Sequence, residues 1–431
     1  MAFDETKDTG GKTKIFKGTF RPGEAGDRPN AGPHRRSFLV QAGMAGFGAL
    51  AGAAFPFHRN VPTGFVSPAS ASENRLVGKN GLTLLNDRPL NAETPPELLD
   101  DTITPIERHF IRNNGLPPDN PDPHTWTLTI DGLVEQTLSL RIEDLRDQFE
   151  VVTRALVIEC AGNGRRFFNP PTRGNQWSYG AVGCSLWTGV RLKDVLDKAG
   201  VHRDAIYTAH YGADGHLSGD PSRSPISRGL PVWKATTEPV LLAFQMNGAP
   251  LHPMNGAPLR LVVPGWPAST SHKWLTRIEL RDRVHDGTKM TGKSYRVPSY
   301  PVAPGENVTD EEMVIIERMP VKSLITFPAD NGEVELSSEV RGHAWSGDRD
   351  VAKVEISTDY GASWIAAYLE PPINPGAWQN WRAQLELAQA GYYEIWARAT
   401  DSAGDIQPFD IGWNPKGYLN NSVHRVSVHA K

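Results

Sequence analysis

The sequence predicts an α+β protein in two folded units, a mixed α/β region followed by an all-β sandwich. Three observations carry that expectation. At 431 residues the chain is longer than one ordinary core organises. Between roughly residues 126 and 290, strand-like runs are interleaved with amphipathic helix patterns, whereas beyond Pro320 the helix patterns stop and period-two runs joined by turn residues continue. Abundant Gly (41), Pro (35) and Trp (12), without any short repeat, suit a loop-rich chain of short strands.

The first segment reads as a leader. "HRRSFLVQAGMAGFGALAGAAFPF", from His34 to Phe57, sets Arg35 and Arg36 before a moderately apolar, Gly/Ala-rich stretch too short and weak for a membrane span. With Ser37, Phe38 and Leu39 the pair resembles a twin-arginine export signal, and Ala69-Ser70-Ala71 supplies a processing site, so residues 1–71 are assigned to signal and leader. This predicts recognition by the twin-arginine export machinery and a periplasmic location. The route carries folded proteins, often because a cofactor is inserted beforehand.

Residues 72–313 are expected to form the first folded unit. "TPPELLDDTITPIERHFIRNNGLPPDNPDPH" (94–124) is too rich in Pro, Asn and Asp for regular structure and is predicted to wrap the surface. "HTWTLTIDGLV" alternates as a strand does. "SLRIEDLRDQF" carries helix-start chemistry with Ser139 as cap and Glu143 nearby, and "VVTRALVIEC" is a second strand. "WTGVRLKDVLDKAGV" (187–201) predicts an amphipathic helix stopped by Gly200. "PVLLAFQMNG" and "LRLVVPG" are further strands, and the Pro- and acid-rich 300–313 is the expected linker. In 314–431, "SEVRGHAWSG", "VAKVEISTDYGASWIAAYLE" and "GYYEIWARATDSAG" predict a β-sandwich of immunoglobulin type without a disulfide.

Charge and motif content exclude several classes. Net charge is −4, and residues 1–71 hold 9 Lys/Arg against 5 Asp/Glu, leaving 36 against 44 for the remainder, so no nucleic-acid partner is expected. The chain lacks CxxC, HExxH, a Walker loop and the CxxCH haem-attachment motif.

The informative stretch is "ALVIECAGNGRR" (155–166). Alone, Cys160 reads as a small buried hydrophobe. Its neighbours change that reading, because "AGNG" lets backbone approach something closely while Arg165 and Arg166 favour a thiolate and an anion. A thiolate is a soft metal ligand, yet one thiolate cannot hold a metal alone, so a cofactor must complete the site. Cys184 is expected to be a free core cysteine. His252, His272 and His285 share no zinc-ligand spacing.

Eight stretches in order, "HFIRNNGLPP", "IECAGNGRRFF", "WTGVRLKDVL", "VLLAFQMNGAPL", "PLRLVVPGW", "HKWLTRIEL", "GHAWSG" and "WNPKGYLNN", resemble the sulfite oxidase family of molybdenum enzymes over roughly 105–425. The resemblance implies a mixed molybdopterin domain followed by an immunoglobulin-like domain that makes a homodimer. It implies a molybdenum–molybdopterin cofactor ligated by Cys160, no haem, and oxidation of sulfite to sulfate. Lacking a haem site, the chain is expected to pass electrons to a separate acceptor of cytochrome c type. Arg112 and Arg165 match the family's anion pocket, and Tyr295 matches its active-site tyrosine across a gap. Lys416 stands where many members carry arginine. Arg260 and Lys273 match positions for the pterin phosphate, and Asp214 and Asn113 would meet the pterin ring edges. Asn114 and Asn255 occupy places where animal members have histidine, and Ser271 lies near another, so these are expected to grip the cofactor in altered geometry.

Other readings stay open at this point: an oxidase that reduces oxygen directly, a relative acting on another sulfur compound or on nitrate, and, from a different class, a metal-free periplasmic binding protein.

Overall fold

A computed structural model of the protein describes residues 76–431, so the leader, with Arg35, Arg36 and the processing site, lies outside the described residues. Among the described residues no helix is long and apolar enough to cross a membrane.

The architecture is mostly β, with only short α-helices among the described residues at Ile142–Gln148, Leu192–Ala199 and Val232–Ala235, where more helix was expected of an α+β chain. The first half holds two sheets. One joins Val151–Glu159, Val182–Arg191, Leu241–Met246 and Arg260–Val262 in antiparallel succession, with Val157 opposite Cys184. The other runs Leu138–Arg141, Thr127–Gly132, Leu275–Arg281, Tyr207–Gly212, and is mixed because Thr127–Gly132 lies parallel to Leu275–Arg281. Leu128, Ile130, Ile278 and Leu280 from the second sheet, Val190, Leu242 and Leu261 from the first, and the inner faces of both longer helices share one core.

Two local expectations fail for the same reason, pairing in three dimensions. Ser139 does not cap a helix. It lies in Leu138–Arg141 opposite Thr129, where alternation sends Leu138 and Leu140 into the core, and the helix starts only at Ile142 with Asp144 accepting from the Arg141 backbone N–H at 2.8 Å. Likewise Trp187–Arg191 continues the strand Val182–Arg191, because its residues pair with both neighbouring strands, so the predicted helix is confined to Leu192–Ala199. Its stop is as expected: Gly200 adopts φ 68° at the C-cap.

Residues 94–124 do wrap, with 3₁₀ turns at Pro96–Leu98 and Ile106–Arg108. They dock on later residues: Leu99 O accepts from His343 Nε2 at 2.6 Å, and Thr102 O accepts from Trp378 Nε1 at 2.7 Å. Around the expected linker, Arg296–Pro298 and Met313–Ile315 pair as an antiparallel ladder.

The C-terminal part is a sandwich. Lys322–Phe327, Ser337–Trp345, Gln379–Glu386 and Tyr368–Leu369 form one sheet. Gly332–Val334, His424–Ala430, Gly391–Asp401, Val351–Ser357 and Ile365–Ala366 form the other. Side chains from both meet in one core that includes Val340, Val354, Trp381, Ile395 and Val428.

What positions the site is the alternation of Val151–Glu159 and the residue after it. Leu156, Ile158 and Cys160 turn to the core shared with Phe110 and Trp177, while Ala155 and Val157 turn to Leu324, Trp345 and Trp378 of the sandwich.

Candidate active site

The strand ends at Glu159, but Cys160 still joins the ladder through its N–H to Ala181 O at 2.9 Å, which holds the thiol-bearing residue at the mouth of the sheet. The chain then folds on itself: Asn163 N–H reaches Cys160 O and Arg165 N–H reaches Gly162 O, both at 2.9 Å. C-terminal residues fasten this loop. Leu419 N–H donates to Ala161 O and Asn420 Nδ2 to Gly164 O, each at 2.9 Å.

Glu159 is anchored by the sandwich. Its carboxylate accepts from Lys322 Nζ, from Trp345 Nε1 at 2.9 Å and from Asn163 Nδ2 at 3.0 Å, and both Glu159 and Lys322 are buried. Neighbouring side chains thus go opposite ways, Glu159 into a closed ion pair and Cys160 into a cavity.

That cavity is lined by the predicted residues Arg112, Asn114, Cys160, Asp214, Asn255, Arg260, Ser271, Lys273 and Tyr295. Cys160 and Cys184 are both free, and they sit in separate core clusters. Burial pushes the Cys184 thiol up to about 12, as suits an inert core cysteine.

At the thiol, Arg112 donates to Asn114 Oδ1 at 2.8 Å and to the Tyr295 hydroxyl at 3.1 Å, and lies within hydrogen-bonding reach of Cys160. Burial opposes the guanidinium's charge, but Tyr295 and Cys160 hold its pKa above the ordinary value. Burial would raise the Tyr295 phenol; the adjacent Arg112 and Lys289 overcome it and hold the phenol below its usual range. Tyr295 has φ 54°, an uncommon backbone state for an aromatic residue.

On another wall, Arg260 donates to Asn255 O at 2.7 Å and Ser271 O at 3.0 Å, and Lys273 donates to Asn113 Oδ1 and to Met254 O at 2.8 Å. Burial lowers Arg260 to about 9 and pushes Lys273 well down, the latter helped by the Arg260 charge. Among the described residues Asp214 is the only carboxylate lining the cavity, and burial lifts it to about 6. The enclosure therefore holds more buried positive charge than it neutralises.

Three predicted residues are not on the cavity wall. Asn113 accepts from two cavity-lining cations, through Oδ1 from Lys273 Nζ and through its carbonyl from Arg112. Arg165 spends its guanidinium on Lys416 O at 2.8 Å and Asn175 O at 3.0 Å and sits 5.0 Å over the Tyr418 ring, so it braces the cysteine loop. Lys416 meets the loop through its backbone carbonyl. Of the expected cations Arg112, Arg165 and Lys416, Arg112 lines this cavity.

Sequence reasoning missed other residues. Lys79 reaches behind the cavity wall to Asn255 Oδ1 at 2.6 Å and to the carbonyls of Ile106 and His109, and burial lowers it to about 7. His109, Ser269 and His272 line the cavity with buried polar atoms that have no partner. "SHKWL" displayed His272 beside Lys273, but it was weighed only as a zinc ligand; among the described residues no three His, Cys, Asp or Glu side chains cluster for a metal.

Comparison with known proteins agrees with this geometry. The family described as oxidoreductase molybdopterin binding domain matches residues 114–289, and the Mo-co oxidoreductase dimerisation domain matches 313–431. Mitochondrial sulfite oxidase of Mus musculus is 36% identical over 363 residues, covering 80% of this chain and 65% of the relative. Sulfite oxidase of Gallus gallus is 33% identical over 360 residues, covering 80% of this chain and 77% of the relative. The chain thus spans slightly under two thirds of the mouse relative's length. The crystal structure of the sulfane dehydrogenase SoxCD from Paracoccus pantotrophus superposes with a TM-score of 0.67 at 26% identity, covering 86% of this chain and 90% of that one. With both matched domains in order and a relative 33% identical of which the chain covers 77%, the chain belongs to the sulfite oxidase family of molybdopterin oxidoreductases.

Proposed function

We propose that the protein oxidises sulfite to sulfate at a molybdenum–pterin centre whose protein ligand is Cys160, passing the electrons to a separate acceptor of cytochrome c type. The observation that carries this reading is the convergence of the Cys160 thiol, Arg112 and Tyr295 on one cavity whose other wall holds Arg260 and Lys273.

The residues present fit the cofactor. Arg260, Lys273 and Ser271 suit an anionic phosphate, Asp214 offers an acceptor for ring N–H groups, and Cys160 offers one soft donor to a metal. When bound, the cofactor supplies the oxygen transfer and the two-electron redox capacity. The chain supplies the rest. Arg112, held charged by its surroundings, binds and orients the sulfite oxyanion by charge-assisted hydrogen bonds. The Tyr295 hydroxyl, fixed by Arg112 and by Asn114 Nδ2 at 3.2 Å, offers a second polar contact. The Arg165 brace and the Glu159 anchor keep the thiol loop from shifting.

The leader expected over residues 1–71 supports export by the twin-arginine route and a periplasmic enzyme. The matched dimerisation domain supports a homodimer made by residues 314–431, with a sandwich of immunoglobulin kind. A second reading, oxidation of another sulfur compound, draws on the likeness to SoxCD.

Rapid mixing of molybdenum-loaded protein with sulfite tests the assignment. Fast reduction, with turnover supported by cytochrome c or ferricyanide and little oxygen uptake, is expected. Oxygen uptake matching turnover would make it an oxidase, and redox change with nitrate or organic sulfur compounds but none with sulfite would overturn it.

A further inference from the structure

Two polar side chains of the cavity lining, Ser269 and His272, have no hydrogen-bond partner, and of these His272 leaves two ring nitrogens unmatched. His272 is buried, at 3% exposure, between Ser271 and Lys273, and neither Nδ1 nor Nε2 has a hydrogen-bond partner. Its backbone is secured, with N–H to Thr270 O at 2.9 Å and O accepting from Leu261 N–H at 2.8 Å, so the ring is held in place. The neighbouring His210 meets it edge to face at a centroid distance of 6.5 Å, which is packing and not hydrogen bonding. Space has been kept for it: a Cβ at Gly212 would stand 2.8 Å from Nε2, so a larger residue there would push the ring.

The ring is neutral, because burial lowers its pKa to about 3 and the Arg260 charge adds to that. A neutral imidazole carries one N–H and one lone pair. The remaining polar lining is dominated by donors, namely Arg112, Arg260 and Lys273, and two side-chain oxygens that could accept are engaged, Asn114 by Arg112 and Asn255 by Lys79. Phosphate oxygens find partners there. The N–H edge of a fused heterocycle finds Asp214 and the lone pair of His272.

We propose that His272 is a recognition residue for the pterin, accepting a hydrogen bond from a ring or exocyclic N–H of that heterocycle. This rests on the molybdenum–pterin reading above. It explains why the buried lone-pair nitrogen is tolerated: it is orphaned only in the cofactor-free protein.

The test is cofactor retention. Wild type, His272→Phe and His272→Gln are purified from cells that make the cofactor and passed through gel filtration, and molybdenum is measured by elemental analysis and pterin by fluorescence after oxidation. His272→Phe is expected to retain about tenfold less pterin per chain, as losing one buried hydrogen bond implies, and His272→Gln to recover most of it. Cofactor-free wild type and His272→Phe should melt at similar temperatures, a result a merely structural histidine would not give. Full pterin retention by His272→Phe, or a cofactor-free form of it that has lost its melting transition, overturns the role of His272 and leaves the enzyme reading intact. Wild-type protein without pterin overturns both, whereas pterin-loaded wild type inert to sulfite overturns only the choice of substrate.

Discussion

On the sandwich side of the strand Val151–Glu159, the buried Glu159 carboxylate is matched by Lys322, Trp345 and Asn163; on the cavity side, the buried Arg260 and the half-buried Lys273 donate to carbonyls and amides, and among the described residues Asp214 is the only carboxylate lining the cavity. The first is closed electrostatically, and the second has an excess of positive charge that costs the cofactor-free fold stability. Unmatched burial of this kind marks a place completed by an anion, whereas matched burial marks a place completed by folding.

The comparison yields predictions, from the largest effect to the smallest. Cys160→Ala should abolish sulfite turnover while the far-ultraviolet spectrum and the melting transition remain those of a folded protein. Normal turnover by that variant would remove the distinction between Cys160 and Cys184. Lys322→Met should cost about 3–5 kcal/mol, because it strands a buried carboxylate, and combining it with Glu159→Gln should restore most of the loss in a denaturation cycle. Additive losses would mean the pair is not closed in the way described. Arg112→Gln should weaken sulfite binding by about 2 kcal/mol, seen as a rise in KM larger than any fall in kcat.

The fourth prediction concerns pH. Lys79 is lowered to about 7 from an ordinary value of 10.5, so between these values the unfolded chain binds more protons there than the folded one. Cofactor-free protein should therefore gain stability as pH rises from 7 to 9, below the range where the raised Cys184 thiol begins to oppose the trend. Lys79→Met should flatten this slope in chemical denaturation at the two pH values. Smallest of all, Cys184→Ala should leave turnover unchanged and cost about 1–2 kcal/mol of stability.

What could be read from the chain follows from range. Cys160 was legible because the glycines and arginines that serve it are its immediate neighbours, and Arg112, Arg260 and Lys273 because their motifs keep an order. The sandwich was legible because alternation is local. The Glu159–Lys322 pair was not, since its partners lie 163 residues apart. Ser139 and Trp187–Arg191 misled because short amphipathic runs satisfy both periods, and only strand pairing decides. That Arg165 braces the loop was not legible, because sequence shows its charge but not the Lys416 carbonyl, 251 residues on, that accepts from it. His272 went unassigned because an empty hydrogen-bonding site has no sequence signature.

The thiol loop is fastened at Ala161, Gly164 and Arg165 by Leu419, Asn420 and the Lys416 carbonyl; the last two lie 256 and 251 residues after their partners. The loop around Cys160 is therefore not clasped until residues 416–420 have been made and have folded back on it. A truncation before Lys416 would remove all three clasps without touching any residue that lines the cavity.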